Sequence, residues 1–187
     1  MVISSSLKGV GEWWSNHHSI IRLVKILSIS FFMCFILNGC AQTTTSPGYI
    51  KGKQYEGHVF PKEYVSFFAQ FEGQTGRFTP TEKEIEKAEQ IIKSQLININ
   101  RPIINQGGEC PIIHLNLPKY KRQYIGYVDI NGDRILWMNF IGGNDKVYLS
   151  DLNNDIIMMH DGCSYFWNIK VNLSRAVLFD LNINGIG

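Results

Sequence analysis

Apolar and polar residues alternate along the C-terminal part of the chain. Cys163, Tyr165, Trp167, Ile169 and Val171 share one face of an extended segment, and Ser164, Asn168, Lys170 and Asn172 share the other. After a break at residues 173–176 the pattern resumes, with Val177, Phe179, Leu181 and Ile183 inward and Asp180 and Asn182 outward. A period of two with one apolar face predicts a hairpin in an antiparallel sheet covered on one side. Residues 120–141 predict a second, earlier hairpin, because Asn131-Gly132 is the preferred pair for a two-residue type I′ turn. Folding the chain there sets Asp129 opposite Arg134 as an opposite-charge pair and Gly126 opposite Trp137, whose indole would cover the bare glycine.

The pattern changes period between these regions and the N-terminus. Ile85, Ala88, Ile91, Ile92 and Leu96 recur at helical spacing and predict an amphipathic helix from Thr81 to about Ile97. Thr79 is the expected cap, with Pro80 in the first turn and Glu82, Glu84 and Glu86 placed favourably for the helix dipole. Glu89 and Lys93 form an i,i+4 pair on the expected solvent face. Residues 49–76 are rich in Tyr and Phe but show no clear period. Residues 98–118 are broken by Pro102, Gly107-Gly108, Pro111 and Pro118, with Ile112 to Leu115 as a short edge strand. Residues 142–162 read as a polar connection holding Val147 to Leu149 and Ile156 to Met159 as strand pieces. The order helix, hairpin, hairpin predicts an α+β domain over residues 49–187: one amphipathic helix packed on an antiparallel sheet of about four strands. That order resembles cystatin-like folds, a likeness that carries no function.

Ahead of this domain lies an apolar run, Ile26 to Leu37, preceded by Lys8, Arg22 and Lys25 and followed by Leu37-Asn38-Gly39-Cys40. A basic flank, a short apolar run and a small residue before the cut are the parts of a secretory signal. The run is shorter than the roughly 20 residues a membrane span needs. Leu37, Gly39 and Cys40 resemble the lipobox of bacterial lipoproteins, with Asn38 departing from the preferred small residue. The resemblance implies a signal peptide over residues 1–39, an acylated Cys40 as the mature N-terminus, and a membrane anchor through the lipid. Residues 40–48 then form a polar tether. Ala41 after the cysteine, in place of Asp, favours the outer membrane over the inner. Phe78 to Glu89, Tyr120 to Phe140 and Asp161 to Gly185 are similar to small lipoproteins of the Bacteroidota, a likeness that implies an envelope location but no reaction.

Charge adds one exclusion. Setting aside Lys8, Arg22, Lys25 and Glu12 leaves 15 basic and 15 acidic residues. A neutral domain lacks the clustered cationic excess that phosphate backbones require, so nucleic acid is not an expected partner. A membrane surface and another envelope protein are. Lys119, Lys121 and Arg122 form a small basic patch, read as a device that keeps an edge strand soluble.

With Cys34 in the signal and Cys40 acylated, Cys110 and Cys163 remain. In an oxidising compartment they form either a disulfide or two buried thiols. His160-Asp161-Gly162-Cys163 is the one cluster of reactive residue types, and it supports an alternative reading as a small hydrolase with His160 or His114 as base to Cys163. His114, His160, Asp155 and Asp161 are the candidate metal ligands, without a recognised spacing. The Asp129-to-Asp133 string places its glycine wrongly for a calcium loop. The expected function is therefore a lipid-tethered binding or interaction module, with no cofactor.

Overall fold

A computed structural model describes residues 48–143 and 151–187. In chain order it contains β1 (Gly48–Lys51), β2 (Glu56–Val59), β3 (Gln74–Phe78), helix α1 (Glu82–Ile99), the one-turn helix α2 (Ile113–Asn116), β4 (Lys121–Asp129), β5 (Arg134–Ile141), β6 (Phe166–Asn172) and β7 (Val177–Ile183). The signal segment, Cys40, the tether up to residue 47 and the Val147 to Leu149 piece lie outside the described residues.

The expected four-stranded antiparallel sheet under one helix is corrected to a seven-stranded mixed sheet, ordered β1-β2-β4-β5-β6-β7 with β3 also paired to β4. One edge of the nine-residue β4 is shared. Gly57 to Val59 of β2 run parallel to Arg122 to Tyr124, and β3 runs antiparallel from Phe78, opposite Gly126, to Gln74, opposite Asp129. Strands of four or five residues such as Gly-Tyr-Ile-Lys and Glu-Gly-His-Val carry too little alternation to be read from sequence. The parallel pairing also departs from the cystatin-like element order.

The centre of the sheet, β4 and β5, is buried on both faces, whereas β6 alternates with one buried face, as its sequence pattern predicts. On the helix side, Tyr124, Leu136, Met138, Phe140, Trp167, Ile169 and Val171 pack with Ile85, Ala88, Ile92 and Leu96 of α1. On the opposite side, Ile125, Tyr127, Ile135 and Trp137 are covered by Phe60, Ala69 and Ile156, with Tyr64 and Phe71 at the margin. Strands buried on both faces read as near-continuous apolar runs, as residues 135–138 do. The second cover is stitched down by two buried amides. Gln123 Nε2 donates to the carbonyls of Leu152 (3.0 Å) and Asp155 (2.8 Å), while its Oε1 accepts from Ile157 N (2.9 Å) and Asn139 Nδ2 (3.1 Å).

Several local expectations shift by a residue or two. The helix is capped by Thr81, not Thr79: Glu84 N donates to Thr81 Oγ1 and Thr81 N donates to the Glu84 carboxylate, a reciprocal capping box. The first hairpin pairs Val128 with Arg134 and Gly126 with Leu136, one residue out of the expected register. Of the Asn-Gly pair only Gly132 has positive φ (80°), so the turn is not type I′. Asp129 sets it instead, its Oδ1 accepting from the N–H groups of Asn131 and Asp133, each at 2.9 Å. Phe78, not Trp137, lies over Gly126, where a Cβ would stand 2.6 Å from the Phe78 ring. Asp180 at φ 50° shifts the β6–β7 register, sending Leu178 to the helix side and Phe179 to the opposite face. Ile112 to Leu115 form the start of α2 rather than a strand, residues 156–159 are irregular, and β6 begins at Phe166 after a 3-10 turn over Cys163–Tyr165.

Candidate functional site

The residues with the most unusual environment sit where α1 crosses the start of β4. Glu89 lies on the buried stripe of α1, in phase with Ile85, Ile92 and Leu96. Arg122 shares the helix-facing side of β4 with Tyr124, and its side chain is 1% exposed against 11% for Glu89. Arg122 Nε donates to Glu89 Oε1 at 3.1 Å and Nη2 to Oε2 at 3.4 Å. The remaining guanidinium N–H groups reach the carbonyls of Tyr120 (2.5 Å) and Gln54 (3.5 Å). Tyr124 Oη donates to Glu89 Oε1 at 2.9 Å. The guanidinium carbon also lies 5.3 Å from the centre of the Phe140 ring.

Burial dominates the electrostatics here. It pushes the Glu89 carboxyl above its ordinary value, although Arg122 and Tyr124 both pull the other way. Tyr124 is pushed well above the usual tyrosine range by burial and then by the Glu89 charge. Tyr55 is raised by burial and by the carboxylates of Glu89, Glu86 and Glu82.

The pair forms the floor of a cleft of about 470 Å³ between the turn joining β1 to β2, the middle of α1, and α2 with the turn after it. Tyr55 forms one wall, its ring lying so close over Gly52 that a Cβ there would stand 2.2 Å away. Lys93 forms part of the rim, and its Nζ donates to Gln54 Oε1 at 3.1 Å rather than pairing with Glu89. His114 lines the cleft from α2.

The proton on His114 is placed by a chain of amides. Ile113 N must donate, so Gln106 Oε1 accepts from it (2.9 Å), and Gln106 Nε2 donates to the Ile104 carbonyl (3.2 Å) and to Asn100 Oδ1 (2.7 Å). Asn100 Nδ2 is thereby directed at His114 Nδ1, 3.0 Å away. Nδ1 accepts, which places the proton of the neutral ring on Nε2.

The residues picked from sequence fare unevenly. Cys110 and Cys163 are joined in a disulfide with Cα atoms 6.1 Å apart. The bond occupies the thiol that the hydrolase reading required as nucleophile. His160 is on an exposed loop. Asp155 accepts from the Tyr64 hydroxyl and from Ile156 N. Among the described residues no group of three His, Cys, Asp or Glu side chains converges as a metal site requires, so His114, His160, Asp155 and Asp161 are not brought together. Cys40 lies outside the described residues.

Glu89, Arg122 and Tyr124 were not legible as a unit, yet a signal existed. Glu89 stands four residues from Ile85 and three from Ile92, and Arg122 shares parity with Tyr124 and Val128. The i,i+4 spacing to Lys93 and the neighbouring Lys119 and Lys121 masked both. Comparison with known protein families, characterised proteins and solved structures finds no match, which leaves the geometry to carry the reading.

Proposed function

We propose that the chain is an envelope lipoprotein, acylated on Cys40, whose folded domain is a binding module with its ligand site in the cleft over Glu89 and Arg122. The observation that carries this reading is the cleft itself. It is concave, has an aromatic wall, and gathers polar and charged side chains from four segments, while the disulfide leaves neither Cys110 nor Cys163 as a free thiol. Its lining includes Glu82 and Glu86 as well as Lys53, Lys93 and His114. That pattern fits a small polar ligand carrying both a carboxylate and an ammonium group. A disulfide between Cys110 and Cys163 suits an oxidising envelope compartment and supports the location.

The test is titration of the full protein with short peptides such as diglycine, followed by the NMR resonances of the His114 and Tyr55 rings. Saturable shifts at both, lost when Arg122 and Glu89 are replaced together by Met and Leu, are expected. Unmoved rings across the peptide series would sink the site. Intact mass of protein from bacterial membranes reads the anchor separately, as an acyl addition on a chain running from Cys40 to Gly187.

A further inference from the structure

Three large apolar side chains stand out from the domain on one short turn. Val65 is 89% exposed, Phe67 82% and Phe68 45%. They are held out, not left loose. Ser66 caps the 3-10 turn over Phe67–Ala69, its hydroxyl accepting from Phe68 N. Ala69 beyond them is buried, and its carbonyl accepts from Arg77 Nη1 at 3.1 Å. Tyr64 before them is tied through its hydroxyl to Asp155. The segment is fastened on both sides while Val65 and the edge-on pair of Phe67 and Phe68 face water. Clustered exposed aromatics on a tied turn mark an interaction surface.

What covers it follows from where the chain enters the domain. The register of β1 and β2 sets Gly48 beside Val59, so the tether arrives at the end of the hairpin from which residues 60–68 depart. Eight Cα steps separate Cys40 from Gly48, at most about 28 Å at full extension. Val59 to Phe67 is the same number of steps and is shortened by the Tyr64-to-Pro61 turn. The turn joining β1 to β2, which walls the cleft, lies at the opposite end of that hairpin.

We propose that Val65, Phe67 and Phe68 seat the domain on the bilayer surface beside its anchor, holding the cleft away from the lipid. The proposal rests on the reading of Cys40 as acylated. Aromatic and aliphatic side chains on a tied turn suit the boundary between headgroups and acyl chains. The flanking charges, Lys62 and Glu63, pair with each other at 3.8 Å, so the patch brings no net charge. The contact is therefore independent of anionic lipid and of salt.

Tryptophan at position 67 tests it, in full-length protein purified from bacterial membranes and placed in phosphatidylethanolamine–phosphatidylglycerol vesicles whose acyl chains are brominated. In the processed chain from Cys40, Trp137 and Trp167 are buried and give a background that the unsubstituted protein measures; an unprocessed chain adds Trp13 and Trp14, and its own unsubstituted form is the reference there. Phe67→Trp is expected to emit to the blue and to be quenched, at all phosphatidylglycerol contents, while Lys53→Trp at the cleft end stays unquenched. No quenching at 67 in acylated, vesicle-bound protein overturns the contact and leaves the anchor standing. Equal quenching at 53 overturns the orientation. Protein that lacks the acyl mass takes the anchor reading down, and the contact then stands only if excess vesicles still quench position 67. A blue shift that grows with protein concentration without vesicles assigns the patch to a second copy and overturns the proposal.

Discussion

Arg122 is a guanidinium almost wholly removed from water, and its environment makes sense only with Glu89 beside it. Removing the Glu89 side chain leaves the buried Arg122 guanidinium without the carboxylate oxygens it donates to, at a cost of about 3–5 kcal/mol, whereas replacing both residues with apolar ones of similar volume is often neutral. Glu89→Ala is therefore expected to lower stability by about that amount, and Glu89→Leu combined with Arg122→Met to recover most of it. Denaturant midpoints decide the matter; a double variant as unstable as the single would show that the cleft floor needs the charges themselves. The same residue sets a pH signature. The folded domain holds the Glu89 proton more tightly than the unfolded chain does, because burial outweighs Arg122. Its contribution is complete below the ordinary glutamate range and is lost as pH rises through its raised folded value. Glu56 runs the other way, held low first by Lys121 and then by Tyr49. So does Glu84, where the upward push of burial is more than offset by Thr81 and Arg134. Their contribution appears above the ordinary range and is lost as pH falls through their lowered values. Midpoints measured against pH should thus show a loss above the ordinary glutamate range that Glu89→Gln abolishes, and a separate loss below it that the substitution leaves in place.

Among the elements, the irregular cover over residues 151–157 depends on Gln123 more than on its own sequence. Gln123→Leu would strand the carbonyls of Leu152 and Asp155 and the N–H of Ile157, each worth about 1–3 kcal/mol when buried and unpaired. The expected outcome is local. Residues 151–157 become sensitive to protease and Ile157 N–H exchanges quickly, while the amides of α1 keep their protection. Equal loss of protection in α1 would mean that the two faces of the sheet are not separable. This cover also marks the limit of what the sequence made legible. Helix α1 and β6 are legible because a long stripe or a strict alternation repeats the same fact many times, whereas Asp180 breaks the alternation of β7 and puts Leu178 rather than Phe179 on the helix side. The first hairpin was read correctly as a hairpin but one residue out of register, because the Asp129 carboxylate overrode the Asn-Gly preference. The short strands β1 to β3 and the amide-held second face depend on single long-range partners, such as Arg122 for Gly57 and Gln123 for Ile157, which leave no periodic trace. The cleft inherits that difficulty, since Tyr55, Glu89, His114 and Arg122 come from four separate segments.

For the molecule as a whole, the Cys110–Cys163 bond is the strongest constraint between distant parts of the chain. It spans 53 residues and encloses α2, β4, β5 and the 151–157 part of the second cover. Cys163 is held on its own account, with φ at 45° and its N–H donating to Gly185 O at 2.8 Å. Near Cys110, the Tyr165 hydroxyl donates to Glu109 O at 3.1 Å and the Ser164 hydroxyl to Pro111 O at 2.5 Å. The two chain segments are thus also held together by hydrogen bonds besides the disulfide, so its main effect falls on the unfolded chain. Chain-entropy reasoning for a loop of this length gives about 4 kcal/mol. Reduction, or Cys110→Ser with Cys163→Ser, is therefore expected to lower stability by about that amount with the folded-state geometry of the cleft preserved, because His114 is held by Asn100 and Gln106 and not by the bond. Denaturation with and without reductant measures the first part and the His114 ring resonance the second. A midpoint unmoved by reductant would mean that the docked segments need no covalent tie. A large midpoint loss with an unmoved His114 would separate the stability of the domain from the shape of its ligand site.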